Sequence, residues 1–467
     1  MAKNIIVFSD GTGQRGGITF DENRTNIYKL YRATRCAPDS NIDPALQLTY
    51  YDPGLGTIPE GSGLFDGAVR KVHNLISKAT GLGITMNIVD CYAEIIRIFE
   101  PGDRIYVFGF SRGAYTVRCL TAVLCFCGVP TQMRDGSPLK YDSATLRKIA
   151  KDAVHNVYQH VGSPRDSQYV DQRKAIAAKF RKDYRSETSG GGNANPYFVG
   201  VFDTVAAIAS YPALAGIATA TFFLFGLFSW GLATFLGIFS TFIWFAVLCL
   251  MLLLALLGWY VKNHLKFARG LEGYTIRDTL HFTSPKLQFY DKQLSPKVSY
   301  ARHAISIDEH RKDFDRVPWG MLGAEMPLRE GGKFLWFKQL WFAGNHADIG
   351  GGYPENESRL SDITMQWMLD EAQSLPNGLL IDRSVLQTNP SYKGMQHDET
   401  KTGVFSHAAK LNRPIIVNAT LHPSVDDRFK ETAVLHYDLM LPYRPQGLRT
   451  HDGLLAYYEV TDSNPVA

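Results

Sequence analysis

The chain has few cysteines and no marked excess of either charge. Its 467 residues include six cysteines, mostly in apolar runs and without the paired spacing of a zinc site or a disulfide framework. We therefore expect a protein of a reducing compartment, with no metal and no cofactor. The 49 basic and 45 acidic residues give a net charge of +4, which does not indicate nucleic acid or another polyanion as a partner.

The amino terminus lacks a long apolar run. Only four consecutive apolar residues, 5–8, precede Ser9 and Asp10, and the core of a signal peptide needs about 7–15. We expect any membrane targeting to come from an internal segment.

Residues 204–261 lack charge altogether, since they contain no Asp, Glu, Lys, Arg or His. A helix needs about 20 apolar residues to cross a bilayer, so the segment is long enough for two crossings with a turn near 231–237. Large apolar side chains occupy every face of 220–260, which favours lipid over a buried helical pair. We predict an inserted transmembrane helical hairpin at 212–261. A hairpin lying in the membrane interface is an alternative, because length does not separate the two.

The rest of the chain alternates between strand and helix patterns, which predicts an α/β fold. We expect an α/β-hydrolase-like, mostly parallel sheet with helices on both faces. The hydrolase domain would comprise 1–211 and 262–375, and a C-terminal extension, 376–467, would pack on it. The clearest strand patterns are at 5–8, 46–51, 104–110, 197–202 and 339–342. The clearest helical patterns are at 25–34, 84–99, 112–127 and 360–375.

Ser111 has the sequence context of a catalytic nucleophile. It follows the strand 104–110, precedes the helix 112–127 and is flanked by Gly109 and Gly113. A tight strand-to-helix turn exposes a serine hydroxyl, and it needs small residues on both sides of the serine. The pattern predicts a nucleophile elbow.

Such a serine needs an imidazole as base and a carboxylate that orients the imidazole. Asp203 and His346 each follow a predicted strand and give the chain order serine, acid, histidine of α/β-hydrolases. Both have a structural alternative: an aspartate often caps the residues after a strand, and His346 lies among glycines that suit a turn. Asp348 is a supporting candidate. His303 and His310 are assigned to a helical run instead.

The amides that would stabilise an oxyanion are predicted from position. Arg112 follows the nucleophile, and Gly11 and Thr12 lie in the loop after the first strand. Asp10 is a further supporting candidate. A phosphatase interpretation of this loop fails, because Phe8 occupies the position of the required nucleophilic aspartate.

Four ordered blocks resemble a known family. Residues 6–12, 109–115, 200–205 and 346–353 are similar to the α/β-hydrolase domain family of unknown-function proteins that includes bacterial type VI secretion phospholipase effectors. The similarity extends to about residue 375, apart from the apolar segment. It implies a bacterial serine hydrolase acting on ester bonds, with phospholipids as substrate and Ser111 as nucleophile.

The apolar segment adds a membrane hypothesis. Because Ser111 precedes it and His346 follows it, an even number of crossings must return the chain to one side. Lys262, Lys266 and Arg269 follow the segment, and basic residues favour the cytoplasmic side. We expect a hydrolase anchored in the bacterial inner membrane with its catalytic domain in the cytoplasm.

The leading functional hypothesis is a membrane-anchored serine hydrolase that cleaves carboxylic ester bonds of phospholipids through a Ser-His-Asp triad and an acyl-enzyme. The alternatives are a catalytically inactive membrane-disrupting or scaffold protein and an esterase of small soluble esters. The lipid bilayer is the expected partner; homo-oligomerisation and a secretion or immunity partner stay open.

Overall fold

The fold is given by a computed structural model. It describes residues 2–11, 23–54, 82–189, 191–205, 211–237, 239–284, 293–314, 316–319, 328–329, 332–401 and 410–462. In these ranges the strands are β1 Asn4–Ser9, β2 Gln47–Asp52, β3 Arg104–Phe110, β4 Glu187–Thr188, β5 Gly191–Gly192, β6 Pro196–Phe202, β7 Leu265–Lys266, β8 His281–Phe282, β9 Tyr300–Ser306, β10 Leu328–Arg329, β11 Phe334–Leu335, β12 Phe337–Phe342, β13 Val434–His436 and β14 Leu439–Leu441.

The α-helices of the same ranges surround the sheet or extend from it. They are α1 Asn26–Thr34, α2 Leu82–Ile98, α3 Arg112–Cys127, α4 Ser143–Lys151, α5 Val170–Asp183, α6 Tyr211–Leu236, α7 Thr241–His264, α8 Ile276–Thr279, α9 His346–Gly350, α10 Arg359–Gln373, α11 Pro423–Lys430 and α12 Leu455–Asp462.

The central sheet is parallel throughout its six strands, in the order β12-β9-β6-β3-β1-β2. The order reverses between β1 and β3, since β2 lies on one side of β1 and all later strands lie on the other. Ligands of open parallel sheets bind beside the carboxyl ends of the strands at such a reversal. The residues after β1 and β3, Asp10 and Ser111, flank this position.

Helices cover both faces of the sheet, as the sequence predicted. Because side chains alternate along a strand, Ile6 and Phe8 of β1 pack in one core with α1 and α10. Val7 packs in the other core with α2, α3 and α5. The α/β class and the parallel sheet are therefore confirmed.

Two long apolar helices occupy the uncharged segment. α6 passes through Gly231 and ends at Leu236, and Ser240 caps the start of α7 by accepting the Ile243 N–H. Within the windows Ala218–Leu236 and Thr241–His264, 6% and 0% of residues are buried. Both helices are thus long and apolar enough to cross a membrane, by length and composition.

One prediction was wrong: His303 lies in a strand, not in a helix. It belongs to β9, which is fully buried between β6 and β12. Two polar side chains made this strand hard to recognise in the sequence, and both have partners in the structure. Arg302 pairs with Glu371 at 2.5 Å, and His303 Nδ1 lies 3.1 Å from Gln339 Oε1. Such partners make the burial of polar groups tolerable, although His303 Nε2 has no partner among the described residues.

Candidate active site

Ser111 sits in a strained turn between β3 and α3. Its φ is 59°, a left-handed value that is uncommon outside glycine. A Cβ at Gly113 would lie 2.0 Å from the Ser9 carbonyl oxygen, and one at Gly109 would lie 2.5 Å from the Gly113 oxygen. Larger residues would collide with the backbone at both positions, so this turn requires the two glycines that the sequence places there.

Asp203 and His346 form the central pair of the site. Asp203 follows β6, the neighbour of β3, and Phe110 is paired with Phe202 in that register. His346 begins α9, a short helix after β12 that Asn345 and Asp348 cap at its amino end. His346 Nδ1 lies 2.5 Å from Asp203 Oδ2. A carboxylate on Nδ1 holds the imidazole with the proton there and directs Nε2 away from it.

The far side of the imidazole is enclosed but has no hydrogen-bond partner. The rings of Phe110 and Phe314 lie 4.6 and 5.1 Å from that of His346. The Glu309 carboxylate accepts the backbone N–H of His346 at 3.2 Å. In the described part of the chain, His346 Nε2 is buried without a partner. An acceptor nitrogen left open in this way can take a proton from a hydroxyl.

Burial and charge set the ionisation of this pair. Burial lowers the pKa of His346, although Asp203 and Glu309 oppose the shift. Burial also disfavours the Asp203 carboxylate, but Arg413 and His346 outweigh it and hold the pKa of Asp203 well below its usual range. The imidazole is therefore neutral near pH 7 and the carboxylate is charged, which is the state that a general base requires.

Arg413 was not predicted from the sequence. Its Nη1 lies 2.5 Å from Asp203 Oδ1 and its Nη2 lies 3.0 Å from Asp203 Oδ2. The Ser306 backbone N–H donates to the same Oδ1 at 3.1 Å. Arg413 comes from a stretch without strand or helix pattern in the C-terminal extension, and no sequence motif connects it to Asp203.

Asp10 and Gly11, which directly follow β1, lie close to the serine turn. A Cβ at Gly11 would lie 3.6 Å from the Ser111 Cβ, so Gly11 borders the candidate nucleophile. Its N–H donates to Asp10 Oδ1 at 2.7 Å, and it would have to leave that acceptor to serve an oxyanion. Asp10 also accepts the hydroxyls of Thr25 and Tyr51, both at 2.6 Å, which ties the loop to α1 and β2.

The remaining predicted site residues have different surroundings. Asp348 accepts His397 Nδ1 at 2.7 Å and the His397 backbone N–H at 3.0 Å, so it connects α9 to the C-terminal extension. Thr12 lies outside the described residues. Arg112 is the first residue of α3. Among the residues that the structure describes, no cluster of three His, Cys, Asp or Glu side chains could hold a metal.

The parallel sheet, the strained serine turn and the Asp203–His346 pair define an α/β protein with a hydrolase-type candidate site. The family model of the type VI secretion system Tle1-like phospholipase effector, catalytic domain, matches residues 3–371. The chain belongs to this family, which confirms the resemblance of its four sequence blocks. Arg413 lies beyond the matched region.

The individual relatives have low sequence identity to this chain, which covers only part of each of them. An uncharacterized protein of Saccharomyces cerevisiae is 29% identical over 213 residues, which are 44% of this chain and 26% of that protein. An uncharacterized protein from Pseudomonas aeruginosa matches at 16% identity, with a TM-score of 0.35 and coverage of 83% and 48% of the two chains. A Tle1 effector bound to the VgrG spike of the type VI secretion system matches at 17% identity, with a TM-score of 0.29 and coverage of 77% and 53%. The chain thus spans about a quarter to a half of the length of these relatives.

Proposed function

We propose that the protein is a membrane-anchored serine hydrolase that cleaves carboxylic ester bonds of phospholipids. Membership in a phospholipase effector family supports lipid hydrolysis in general. The observation that carries the proposal is the buried Asp203–His346 pair, whose Nε2 has no hydrogen-bond partner among the described residues, Ser111 included. The ring of Phe110, the residue before Ser111, lies 4.6 Å from the imidazole. Serine acyl transfer uses a histidine that a carboxylate holds in this way.

The chemistry divides between the three side chains. Ser111 Oγ attacks the ester carbonyl while His346 Nε2 accepts its proton, and Asp203 stabilises the imidazolium that forms. The tetrahedral intermediate collapses to an acyl-enzyme as His346 returns the proton to the departing alcohol of the lysolipid. Water then attacks the acyl-enzyme with His346 again as base, which releases the fatty acid and restores the Ser111 hydroxyl.

Backbone amides would stabilise the oxyanion. The N–H of Arg112 follows the nucleophile, the usual position for one donor. Gly11 borders Ser111 and would be the second donor if substrate drew its N–H away from Asp10. Thr12 is retained as an alternative second donor from its place in the sequence.

The exposed helices α6 and α7 support membrane anchoring. A water-soluble domain would bury such large apolar side chains, yet Phe235 is 92% exposed and Phe242 is 77% exposed. Two crossings would return the chain to the side it left, so both parts of the hydrolase domain can form one sheet. We propose the bacterial inner membrane as the location, with the hydrolase domain in the cytoplasm.

The test is Ser111→Ala in full-length protein with phospholipid vesicles, using mass spectrometry to count fatty acid and lysolipid released. We expect release to stop while membrane association persists. Ser9→Ala is a matched control, because Ser9 ends the adjacent strand β1 and its hydroxyl donates to Asp52 at 2.8 Å. Release by the Ser111→Ala protein would overturn the proposal. Cleavage of short soluble esters alone by the unmodified protein would favour the soluble-ester alternative.

A further inference from the structure

A pocket lies beside the part of α3 that is remote from Ser111. It has a volume of about 370 Å³ and opens between α3, α5 and residues 293–297. Arg118 and Trp319 form its buried base, and Lys174 and Lys297 lie exposed at its rim. At about 1.5 Å per helical residue, Arg118 is about 10 Å along α3 from Ser111, and Cys125 is about 21 Å along it. The pocket is therefore separate from the candidate active site.

The charge of the pocket has one sign. Four cationic side chains line it, Arg118, Lys174, Arg181 and Lys297, and no carboxylate belongs to the lining within the described residues. Arg181 Nη1 donates to the Phe126 carbonyl at 2.6 Å, and Lys297 Nζ donates to the Cys125 carbonyl at 3.4 Å. Carbonyl oxygens orient Arg181 and Lys297 without neutralising them, so the charge of these two side chains is available to an anion. Lys174 at the rim is paired with the Asp171 carboxylate, 2.9 Å from its Nζ.

The base of the pocket is preorganised. The Arg118 guanidinium lies 4.4 Å above the centre of the Trp319 ring and donates to the carbonyls of Val317 and Pro318 at 2.7 and 3.1 Å. Burial lowers the pKa of Arg118 to about 9, and an adjacent anion would stabilise its charged form. Phe126 and Leu294 add apolar walls. The pocket thus offers fixed cations beside apolar surface.

We propose that this pocket binds a phosphate group that carries a small apolar portion, as in the head region of an anionic phospholipid. Its volume equals that of about twelve water molecules, which suffices for a phosphate with its glycerol. α5 also contacts the segment that follows the apolar hairpin, because Lys179 Nζ donates to the Gly270 carbonyl and Gln172 Nε2 to the Asp278 carbonyl, each at 3.0 Å. One wall of the pocket is therefore attached to the part of the chain nearest to the proposed membrane.

The test uses full-length Ser111→Ala protein, so that no ligand is hydrolysed. Calorimetric titrations compare dihexanoyl phosphatidic acid, inorganic phosphate and the uncharged dihexanoylglycerol. We expect saturable binding of the phosphatidic acid and none of the dihexanoylglycerol. Adding Arg181→Met and Lys297→Met should weaken binding at least about tenfold, because two charge-assisted contacts are lost. Adding Lys182→Met instead removes the same charge from the next residue of α5, outside the lining, and should leave the affinity unchanged.

The titrations also show whether the bound phosphate belongs to a lipid or is free inorganic phosphate. Tighter binding of phosphatidic acid than of inorganic phosphate supports a lipid source, whereas equal affinities support free phosphate. If the variant carrying both methionines does not fold by circular dichroism, Lys297→Met alone decides, since this exposed side chain can be replaced without opening the core. Absence of saturable binding by either phosphate compound, or unchanged affinity in the folded variants, would overturn the proposal.

Discussion

Arg413 binds both carboxylate oxygens of Asp203, through contacts of 2.5 and 3.0 Å. The two side chains are 2% and 0% exposed, so this is a buried, two-point ion pair. Asp203 Oδ2 also contacts His346. The acid of the proposed triad is thus shared between the histidine that it orients and an arginine from the C-terminal extension. Arg413 fixes the direction of the carboxylate and reduces the negative charge that the imidazole experiences.

Replacing Arg413 should therefore change the pH dependence of catalysis as well as stability. In Arg413→Ala the full charge of Asp203 acts on His346 and raises its pKa, so the acid limb of kcat/KM should move upward by on the order of one pH unit. Loss of a buried partner should also lower the free energy of unfolding by about 3–5 kcal/mol. Rates of p-nitrophenyl butyrate hydrolysis across pH, together with urea unfolding, measure both effects.

Two controls separate positioning by Arg413 from its packing. Guanidinium ion at low millimolar concentration should partly restore the activity of Arg413→Ala. Arg428→Ala removes another fully buried guanidinium of the extension, one that donates to the Gly394 and Leu435 carbonyls at 2.9 and 3.3 Å. That variant should lose stability without a shift of the acid limb. An identical pH profile in Arg413→Ala and the unmodified enzyme would contradict the positioning role.

The contrast between Ser111 and Arg413 shows what the sequence could and could not predict. The turn at Ser111 is specified locally. Two glycines within five residues and the adjacent strand and helix patterns all lie next to Ser111 in the sequence. The parallel sheet was likewise predictable from alternation of local patterns. Arg413 contacts a residue 210 positions away, and nothing in its own neighbourhood encodes that contact.

β9 escaped prediction for a related reason. Its sequence, Tyr-Ala-Arg-His-Ala-Ile-Ser, places two polar residues in the middle of a buried strand. Partners from elsewhere in the chain, among them Glu371 and Gln339, make that burial tolerable. Asp203 and His346 could be predicted from the sequence, because a residue directly after a parallel strand lies at the ligand-binding edge by topology alone.

The lowered pKa of His346 gives a second prediction. Because burial lowers its pKa from the ordinary 6.5, the neutral base should persist to lower pH than in an exposed histidine. The acid limb of kcat/KM for a soluble ester should therefore have its midpoint below pH 6.5. Circular dichroism at each pH would confirm that the enzyme stays folded. A midpoint at pH 7 or above would show that the imidazole is protonated more easily than its surroundings imply.

Asp52 supplies a test of stability that does not involve catalysis. Burial raises the pKa of this carboxyl, which ends β2, to about 7, although hydrogen bonds from Ser9 and Asn87 oppose the shift. A folded pKa above the unfolded value of about 3.9 means that its stabilising contribution is complete below pH 4 and is lost as pH rises through 7. Asp52→Asn cannot ionise, so it should unfold at higher urea concentration than the unmodified protein at pH 8.

At pH 4.5 the two proteins should unfold at nearly equal urea concentrations, or the unmodified protein should unfold at the higher one. The reason is that Asp52 is then protonated in the folded protein. Asp39→Asn is a suitable control, since the Asp39 side chain is 58% exposed. Equal pH dependence of unfolding in Asp52→Asn and the unmodified protein would show that Asp52 does not titrate in this range.

The apolar hairpin should be separable from the proposed chemistry. Ser111, Asp203, His346 and Arg413 come from the sheet edge and the C-terminal extension, and none of them belongs to α6 or α7. Replacing residues 211–264 by a short Gly/Ser linker should therefore release the protein from the membrane pellet after a carbonate wash. Turnover of p-nitrophenyl butyrate should persist, whereas hydrolysis of phospholipid in vesicles should fall because the enzyme no longer resides at its substrate.

Ser111→Ala with the hairpin intact should give the reciprocal result: it should bind the membrane and be inactive on both substrates. Together with the deletion variant it separates anchoring from catalysis. A deletion variant that still sediments with the membrane would assign the anchor to another part of the chain. A folded deletion variant without soluble-ester turnover would mean that the hairpin helps to shape the catalytic site. Unchanged vesicle hydrolysis would show that substrate reaches Ser111 from solution, and the exposed helices would then need a partner other than lipid.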